Sequence, residues 1–348
     1  MRAPKTPRDG RDISLADLRR TAFSAAYRML GSVTEAEDVA QDAMLRVAPD
    51  GTVSPDIVKP EAYTTTVATR IALDVLRSAR VRRETYVGDW LPEPIVGDGV
   101  ATSVMPADGP THAELADDLS TAFLVLLETL TPSERAAFLL HDVLGYPHRQ
   151  AAKVIGTTEL AARQLASRAR RRVAERRGDM VEDVRRTPVP RPDPHAAELV
   201  ERFIAATQEG DLEALLDMLA EDVVVVGDGG GKVPAGMAIS KPVSGREAVA
   251  RLMLGFSRRA AGLVQVVPAS VNGLPGMVVY ASEDLGGGLL GTYALQTEGG
   301  RIVAIRGVIN PEKLGHLGAL ADLETLAAAF RAAAGERRTS RRHRAGEA

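Results

Sequence analysis

The chain has 348 residues, enough for two or three domains that each bury a core, and its 43 Lys and Arg nearly balance 46 Asp and Glu for a net charge of −3. It contains no cysteine, which excludes disulfides and thiolate-ligated metal, and its six histidines show no ligand spacing, so no metal or cofactor is expected. No apolar run approaches membrane-spanning length and the first residues lack the apolar core of a signal peptide, so a cytoplasmic protein without membrane attachment is expected. The small net charge hides an asymmetry: arginine concentrates at 70–83, 163–177, 185–191 and 331–344, whereas 198–230 is acidic.

In chain order, 14–47 reads as two helices. Leu15, Leu18, Phe23, Ala26, Tyr27 and Leu30 form one apolar stripe, Gly31 ends it, and Thr34-Glu35-Ala36-Glu37 opens the next helix as a capping box. That second helix sets Asp38, Gln41 and Asp42 opposite Val39, Ala43 and Leu45. After a Pro- and Gly-bearing loop at 48–60, the spacing of Val67, Ile71, Ala72, Val75 and Leu76 predicts a helix to about 83. Its polar face carries Arg70, Asp74, Arg77, Arg80, Arg82 and Arg83, and by spacing Tyr63 is expected in the core.

Residues 86–113 lack periodicity and read as a linker. It contains the only tryptophan, in Trp90-Leu91-Pro92-Glu93-Pro94, an apolar cluster that must find a burial partner. Residues 114–178 are helical again. A helix over 134–144 stops at Gly145 and Pro147, a short helix buries Ala151, Ala152, Val154 and Ile155, and Gly156-Thr157-Thr158 turns the chain and caps the next helix. In that last helix Leu160, Ala161, Leu165, Ala169 and Val173 recur at helical spacing. Glu159, Arg163, Gln164, Ser167, Arg168, Arg171 and Arg172 occupy much of the remainder. A short helix, a tight turn and a second helix with a basic face form the geometry that places a helix in the DNA major groove. On the residues alone, a solvated basic helix and a DNA-reading helix both stand.

A Pro-rich spacer (179–194) precedes a change of pattern. Helices at 195–209, 211–219 and 245–260 are followed by Val-, Ile- and Leu-rich runs at 263–271, 276–282, 289–297 and 301–309, split by Gly or Asn-Gly turns. Helices followed by strands indicate an α+β domain over 195–318 with a curved sheet wrapped around helices. An alanine-rich helix and a basic tail make up 319–348. Asp228 precedes Gly229-Gly230-Gly231-Lys232 and reads more simply as a turn residue than as a general acid. The glycines lack the Gly-Lys-Ser/Thr ending and following helix of a phosphate loop. Asp222, Tyr280 and Tyr293 are further candidates for a pocket, without a paired acid and base at telling spacing.

Two helical modules, one with the acidic EAEDVAQDAMLRV helix and the basic YTTTVATRIALDVLRSARVRRE helix, the other ending in the helix-turn-helix, resemble bacterial sigma factors of the extracytoplasmic-function group. YVGDWLPEP, Asp228–Lys232 and Asn310-Pro311-Glu312-Lys313-Leu314 are similar to motifs of those members that carry a fused SnoaL-like domain. The Gly-Asp before Trp90 departs from the usual proline. The resemblance implies two all-α sigma domains plus a cone-shaped α+β domain that regulates in cis. Residues 12–85 would bind the −10 element and core polymerase, and 114–178 the −35 element. It implies core RNA polymerase as partner, through the β′ clamp and β flap, with Asp38, Gln41 and Asp42 on the clamp. Promoter DNA would lie on the basic helices, with Tyr63 and Thr64–Thr66 near the pocket that captures a flipped base.

The resemblance also implies a regulatory contact between Trp90, Leu91 and Pro92 and the 228–232 loop, modulated by Asn310, Pro311, Lys313 and Leu314. A small-molecule ligand in the cone stays open. The alternatives are a ligand-responsive DNA-binding regulator that never engages polymerase and an enzyme with an accessory DNA-binding module. Near the N-terminus of the recognition helix, Glu159, Arg163, Gln164 and Arg168 should reach base edges, with Arg171 and Arg172 on phosphates. Arg163→Ala should therefore cost about 1–3 kcal/mol and relax specificity at one −35 position, as binding titrations over single-base variants would read. An equal loss on every sequence would make Arg163 a phosphate contact instead.

Overall fold

The computed structural model describes residues 14–84, 86–97, 121–183 and 196–333. Of the spacer expected at 179–194, residues 184–194 lie outside them and 179–183 are helical instead; the basic tail beyond 333, linker residues 98–113 and residues 114–120 also lie outside them. The described residues form two compact units: one holds the chain to Val81 together with Leu130–Arg170, the other Arg82–Thr129 and everything from Arg171.

The first unit is all helical. Helix α1 (Leu15–Leu30) starts from a reciprocal capping box between Ser14 and Asp17, whose carboxyl the Ser14 hydroxyl and amide hold below the usual range. It ends at Gly31, which takes the left-handed conformation that glycine accepts readily. Helix α2 (Val33–Val47) is capped two residues before the expected Thr34, because Ser32 accepts the Glu35 amide, at 3.1 Å. The two helices bury Leu18, Ala22, Tyr27, Leu30, Val39, Ala40, Ala43 and Val47, with Phe23 and Tyr27 stacked at 5.9 Å. Leu15 and Leu45, expected in the apolar stripes, are 39% and 61% exposed instead.

Helix α3 (Pro60–Glu84) buries Val67, Ala68, Ala72, Leu73 and Leu76. The expected helix over 134–144 is α5 (Pro132–Phe138), capped by a Thr131–Glu134 box and continued by a π turn over Leu139–Val143. Helix α6 (His148–Ile155) ends at Gly156, and α7 (Glu159–Asp183) follows. Buried Arg135 on α5 donates to the Met29 carbonyl at 2.7 Å, satisfying one of the acceptors left over at the C-terminus of α1.

The second unit is a seven-stranded mixed sheet in the order β1-β4-β5-β6-β7-β2-β3. The strands are β1 (Val96–Gly97), β2 (Leu219–Asp228), β3 (Val243–Ser244), β4 (Val264–Val271), β5 (Leu274–Ala281), β6 (Leu289–Glu298) and β7 (Arg301–Val308). Among the described strands only β2 and β7 pair in parallel, and register shifts in β2, β5–β6 and β6–β7 bend the sheet. Helices α8 (Ala196–Glu209), α9 (Leu212–Met218) and α10 (Arg246–Ala260) cover its inner face through Phe203, Leu215, Val223, Val225, Leu254, Leu295 and Ile305. A helix over 323–333 adds Leu326 and Ala327 beside Met237, Val279 and Leu290.

Alternation along each strand sends the intervening residues to the outer face. There Val278, Leu289 and Val308 pack with Leu91, Leu314 of the short α11 (Pro311–Leu314) and Val125 of α4 (Thr121–Glu128). Both faces are thus covered, which explains why β5 and β6 read as nearly continuous apolar runs. The segment 86–97, expected to be irregular, supplies a strand of this sheet: Val96 and Gly97 pair antiparallel with Val271 and Ser270.

Candidate functional site

Three polar surfaces and one buried cradle carry the expected site residues. On α2, Asp38, Gln41 and Asp42 are exposed, while Ala36, Val39, Ala40 and Ala43 are buried behind them. Leu45 lies one turn further along the same face, so the acidic face carries an exposed apolar residue that the periodicity had placed in the core.

On α3, Arg70, Asp74 and Arg77 are exposed, and Arg77 pairs with Asp74 at 3.5 Å. The side chains of Arg80, Arg82 and Arg83 lie outside the described residues. Two of these arginines already have protein partners: Arg70 donates to the Lys153 carbonyl of α6 at 2.6 Å, and Arg77 to the Ser133 hydroxyl of α5 at 3.4 Å. The Tyr146 hydroxyl donates to the Ala62 carbonyl at 3.3 Å. Tyr63, expected in the core, is 43% exposed. Thr64, Thr65 and Thr69 are buried instead, and the Thr65 and Thr66 hydroxyls turn back onto the carbonyls of Glu61 and Ala62. The helical register that turns the threonines inward turns the tyrosine out.

In the helix-turn-helix, Gly156 takes a left-handed turn with φ 78° and Thr158 caps α7 by accepting the Ala161 amide at 3.2 Å. The buried positions of α7 are Ala162, Ala166, Ala169 and Val173; Leu160, expected among them, is 68% exposed. Glu159, Arg163, Gln164, Ser167, Arg168, Arg171 and Arg172 are all exposed. Arg163 pairs with Glu159 at 2.9 Å and Arg171 with Glu175 at 3.5 Å, weak surface pairs that water or phosphate can replace. Arg168 differs, reaching the buried Glu134 at 3.2 Å, the same carboxylate that closes the α5 capping box.

The cradle lies at the outer face of the sheet. Asp228, expected to be a turn residue, is the last residue of β2 and is fully buried. One carboxylate oxygen accepts the Leu91 amide at 2.8 Å and the Lys313 ammonium at 2.7 Å, and the other accepts the Tyr86 hydroxyl. Lys313 also donates to the Leu91 carbonyl and stands 4.2 Å above the Trp90 ring and 4.7 Å above that of Tyr86. Asn310 caps α11 and donates to the Tyr86 hydroxyl at 2.9 Å.

Burial pulls the Lys313 ammonium below its ordinary range against the opposing pull of Asp228. Burial and the bond to Asp228 push the Tyr86 phenol well up, and burial followed by the nearness of Asp228 raises the Asp89 carboxyl. Gly230, at φ 58°, passes so close that a Cβ would fall 2.2 Å from the Asn310 amide nitrogen. Lys232 stays at the surface, 3.1 Å from Glu312. Pro92 is buried beside Leu91, and Pro311 occupies the first turn of α11.

Two anchors were missed in the sequence. His316 meets the Pro94 carbonyl at 2.9 Å. Buried Asn272 exchanges backbone bonds with the linker: its side-chain oxygen accepts the Ile95 amide at 2.6 Å, its amide donates to the Ile95 carbonyl at 2.7 Å, and its side-chain nitrogen donates to the Thr121 hydroxyl at 2.9 Å. The only sequence signal was Asn272-Gly273, which a hairpin turn already explains.

Among the described residues no group of three His, Asp or Glu could hold a metal, and no helix is long and apolar enough to cross a membrane. Asp228→Asn should cost about 3–5 kcal/mol in unfolding experiments, since it strands the Lys313 charge. The pair Asp228→Leu with Lys313→Met, which removes both charges, should cost less. Equal losses would show that packing rather than the ion pair holds the cradle.

The comparisons with known proteins agree with this geometry. The description "Sigma-70 region 2" matches residues 15–82 and "Sigma-70, region 4" matches 120–173. The ECF RNA polymerase sigma factor SigJ of Mycobacterium tuberculosis (strain ATCC 25618 / H37Rv) is 38% identical over 306 residues, 85% of this chain and 90% of that protein. A probable ECF RNA polymerase sigma factor of the same strain, SigI, is 34% identical over 294 residues, covering 83% and 89%. The crystal structure of the M. tuberculosis extracytoplasmic function sigma factor SigJ superimposes with a TM-score of 0.65 at 35% identity, covering 87% of this chain and 98% of that one. Two helical sigma regions, a sheet domain fused behind them and a relative similar along most of its length show that this chain belongs to the extracytoplasmic-function family of RNA polymerase sigma factors.

Proposed function

We propose that this sigma factor is governed in cis by its SnoaL-like domain, which sets the path of the linker between its two promoter-reading regions. As a member of the family it binds core RNA polymerase, recognises −10 and −35 promoter elements and starts transcription. The finer reading places Asp38, Gln41, Asp42 and exposed Leu45 on the β′ clamp, a charged rim around one apolar contact. Helix α3 would follow the phosphates near the −10 element through Arg70 and Arg77, with Asp74 and, by sequence, Arg80, Arg82 and Arg83 on the same face. Exposed Tyr63 would stack on an unpaired base. The N-terminal half of α7 would read the −35 element, and region 4 would meet the β flap. The cytoplasm is the compartment in which a polymerase subunit of this kind works.

The observation that carries the regulatory part is the Asp228–Lys313 cradle. The linker segment 86–97 is held by a buried charge, by Asn272 and by a strand pairing, so its course depends on the sheet domain. Arg70 and Arg77 support the same reading: in this state their donors serve elements of region 4, and DNA has to displace those bonds. The cavity of the sheet domain supports binding over catalysis, since among the described residues lining it there is no carboxylate, histidine or lysine to move a proton. Asp228, the candidate acid, is committed to the cradle.

Run-off transcription with core polymerase tests the reading. The double variant Asp38→Lys, Asp42→Lys should lose co-elution with core polymerase and yield no transcript. Undiminished polymerase binding would move the polymerase contact away from α2, and a wild-type chain that binds promoter DNA but never polymerase would favour the ligand-responsive regulator. Lys313→Ala, which frees the linker, should change transcript yield at least severalfold with unchanged polymerase affinity. An unaltered yield would remove the cradle from the control of transcription.

A further inference from the structure

One end of the sheet's inner face is not filled by side chains. Between it and helices α8 and α10 lies a cavity of about 370 Å³, within the size range of small-molecule sites. Protein interiors close over such space when the residues allow it, because unfilled apolar volume is destabilising. Here the sequence keeps it open. Gly307 stands opposite Tyr293 across the β6–β7 ladder, and a Cβ there would fall 2.5 Å from the tyrosine ring. The glycine lets that ring lie along the sheet and leaves the volume above it free.

The walls are mostly apolar, with Phe203, Met253 and Phe256 from the helices and Phe330 from the helix over 323–333, and Thr207, Gln208 and Ser257 add neutral polar groups. Among the described residues the one formal charge in the lining is Arg259, which is exposed, with its guanidinium 4.7 Å above the Phe256 ring. The phenol of Tyr293 lines the cavity, and burial pushes it up to about 12, so it stays protonated and can donate.

We infer that this cavity binds an uncharged, largely apolar small molecule whose carbonyl-type oxygen accepts a hydrogen bond from the Tyr293 hydroxyl. Aromatic and methionine walls suit a flat or branched skeleton. A carboxylate beside the Tyr293 phenol would exchange its water for neutral donors in a largely apolar surround, which is unfavourable. The occupant has a short route to the linker, a step that rests on the regulatory reading above. Gly227 and Ile309 line the cavity, and the residues that follow them, Asp228 and Asn310, build the cradle on the opposite face.

The full chain titrated with prodan, an uncharged naphthyl ketone whose emission reports polarity and hydrogen bonding, tests this. One saturable, blue-shifted site per chain is expected. Ser257→Trp and Ala260→Phe, which put bulk into the cavity from α10, should each weaken binding at least tenfold in any variant that keeps its unfolding temperature. Tyr293→Phe should weaken it about three- to tenfold and move the emission further to the blue, as loss of one hydrogen bond requires. 2-Acetonaphthone should compete with the probe and 2-naphthoate should not. Absence of a saturable site, equal competition by the carboxylate, or binding indifferent to the filled cavity and to Tyr293→Phe would each overturn the inference. Run-off transcription with and without probe separates it from the regulatory reading: binding without a change in transcript removes the coupling to the linker and leaves the site.

Discussion

A carboxylate with no exposure to water is costly unless every lone pair is answered, and Asp228 is answered by a backbone amide, a phenol and an ammonium. The three donors come from two places in the chain: Tyr86 and Leu91 in the linker and Lys313 in α11. Asn310 and the Leu91 carbonyl add bonds to Tyr86 and Lys313, but Asp228 answers the charge. Lys313 without Asp228 is a buried cation, Tyr86 without it a half-buried phenol whose proton has lost its acceptor, and the Leu91 amide an orphan in an apolar cluster. The cradle therefore orders together or not at all, and it makes a segment distant in sequence part of the sheet domain.

That requirement divides the work of the sheet between its faces. Residues of β2 alternate, so Val223, Val225 and Gly227 look inward while Val226 and Asp228 look outward. The inner face builds a core at one end and leaves a cavity at the other. The outer face, which would be an exposed apolar surface in an isolated domain, is closed by Leu91, Val96, Val125 and Leu314. The β4 edge is capped by two linker residues, so the linker also answers the usual liability of an open strand edge.

The arginines divide as well. Arg163 and Arg171 make exposed pairs with neighbours on their own helix, which a phosphate can displace at little cost. Arg168 reaches a buried carboxylate with a structural duty, and Arg70 is tied to a backbone carbonyl. Equal charge on these helices thus carries unequal readiness to meet DNA, and composition alone could not distinguish the two kinds.

Much of the fold was legible. Periodicity located the helices of both sigma regions to within a few residues, Gly31 and Gly156 punctuated them, and alternating apolar runs predicted the curved sheet. Three kinds of feature were not. Single apolar residues at helical spacing, Leu45, Tyr63 and Leu160, were placed inward because period alone cannot tell a core position from an exposed apolar contact. Asp228 before three glycines looked like a turn, since burial of a charge shows only when its partners arrive from 85 and 137 residues away. Asn272 and His316 carried no signal of their anchoring role, because what they bind is the backbone of a remote segment. By itself the sequence determined most of the elements and the basic faces, set by local spacing and charge, and the family through the resemblance of its motifs. Only the tertiary structure decided that the linker is a strand of the C-terminal sheet and that Asp228 holds it, because a buried ion pair exists only where the whole fold excludes water around it.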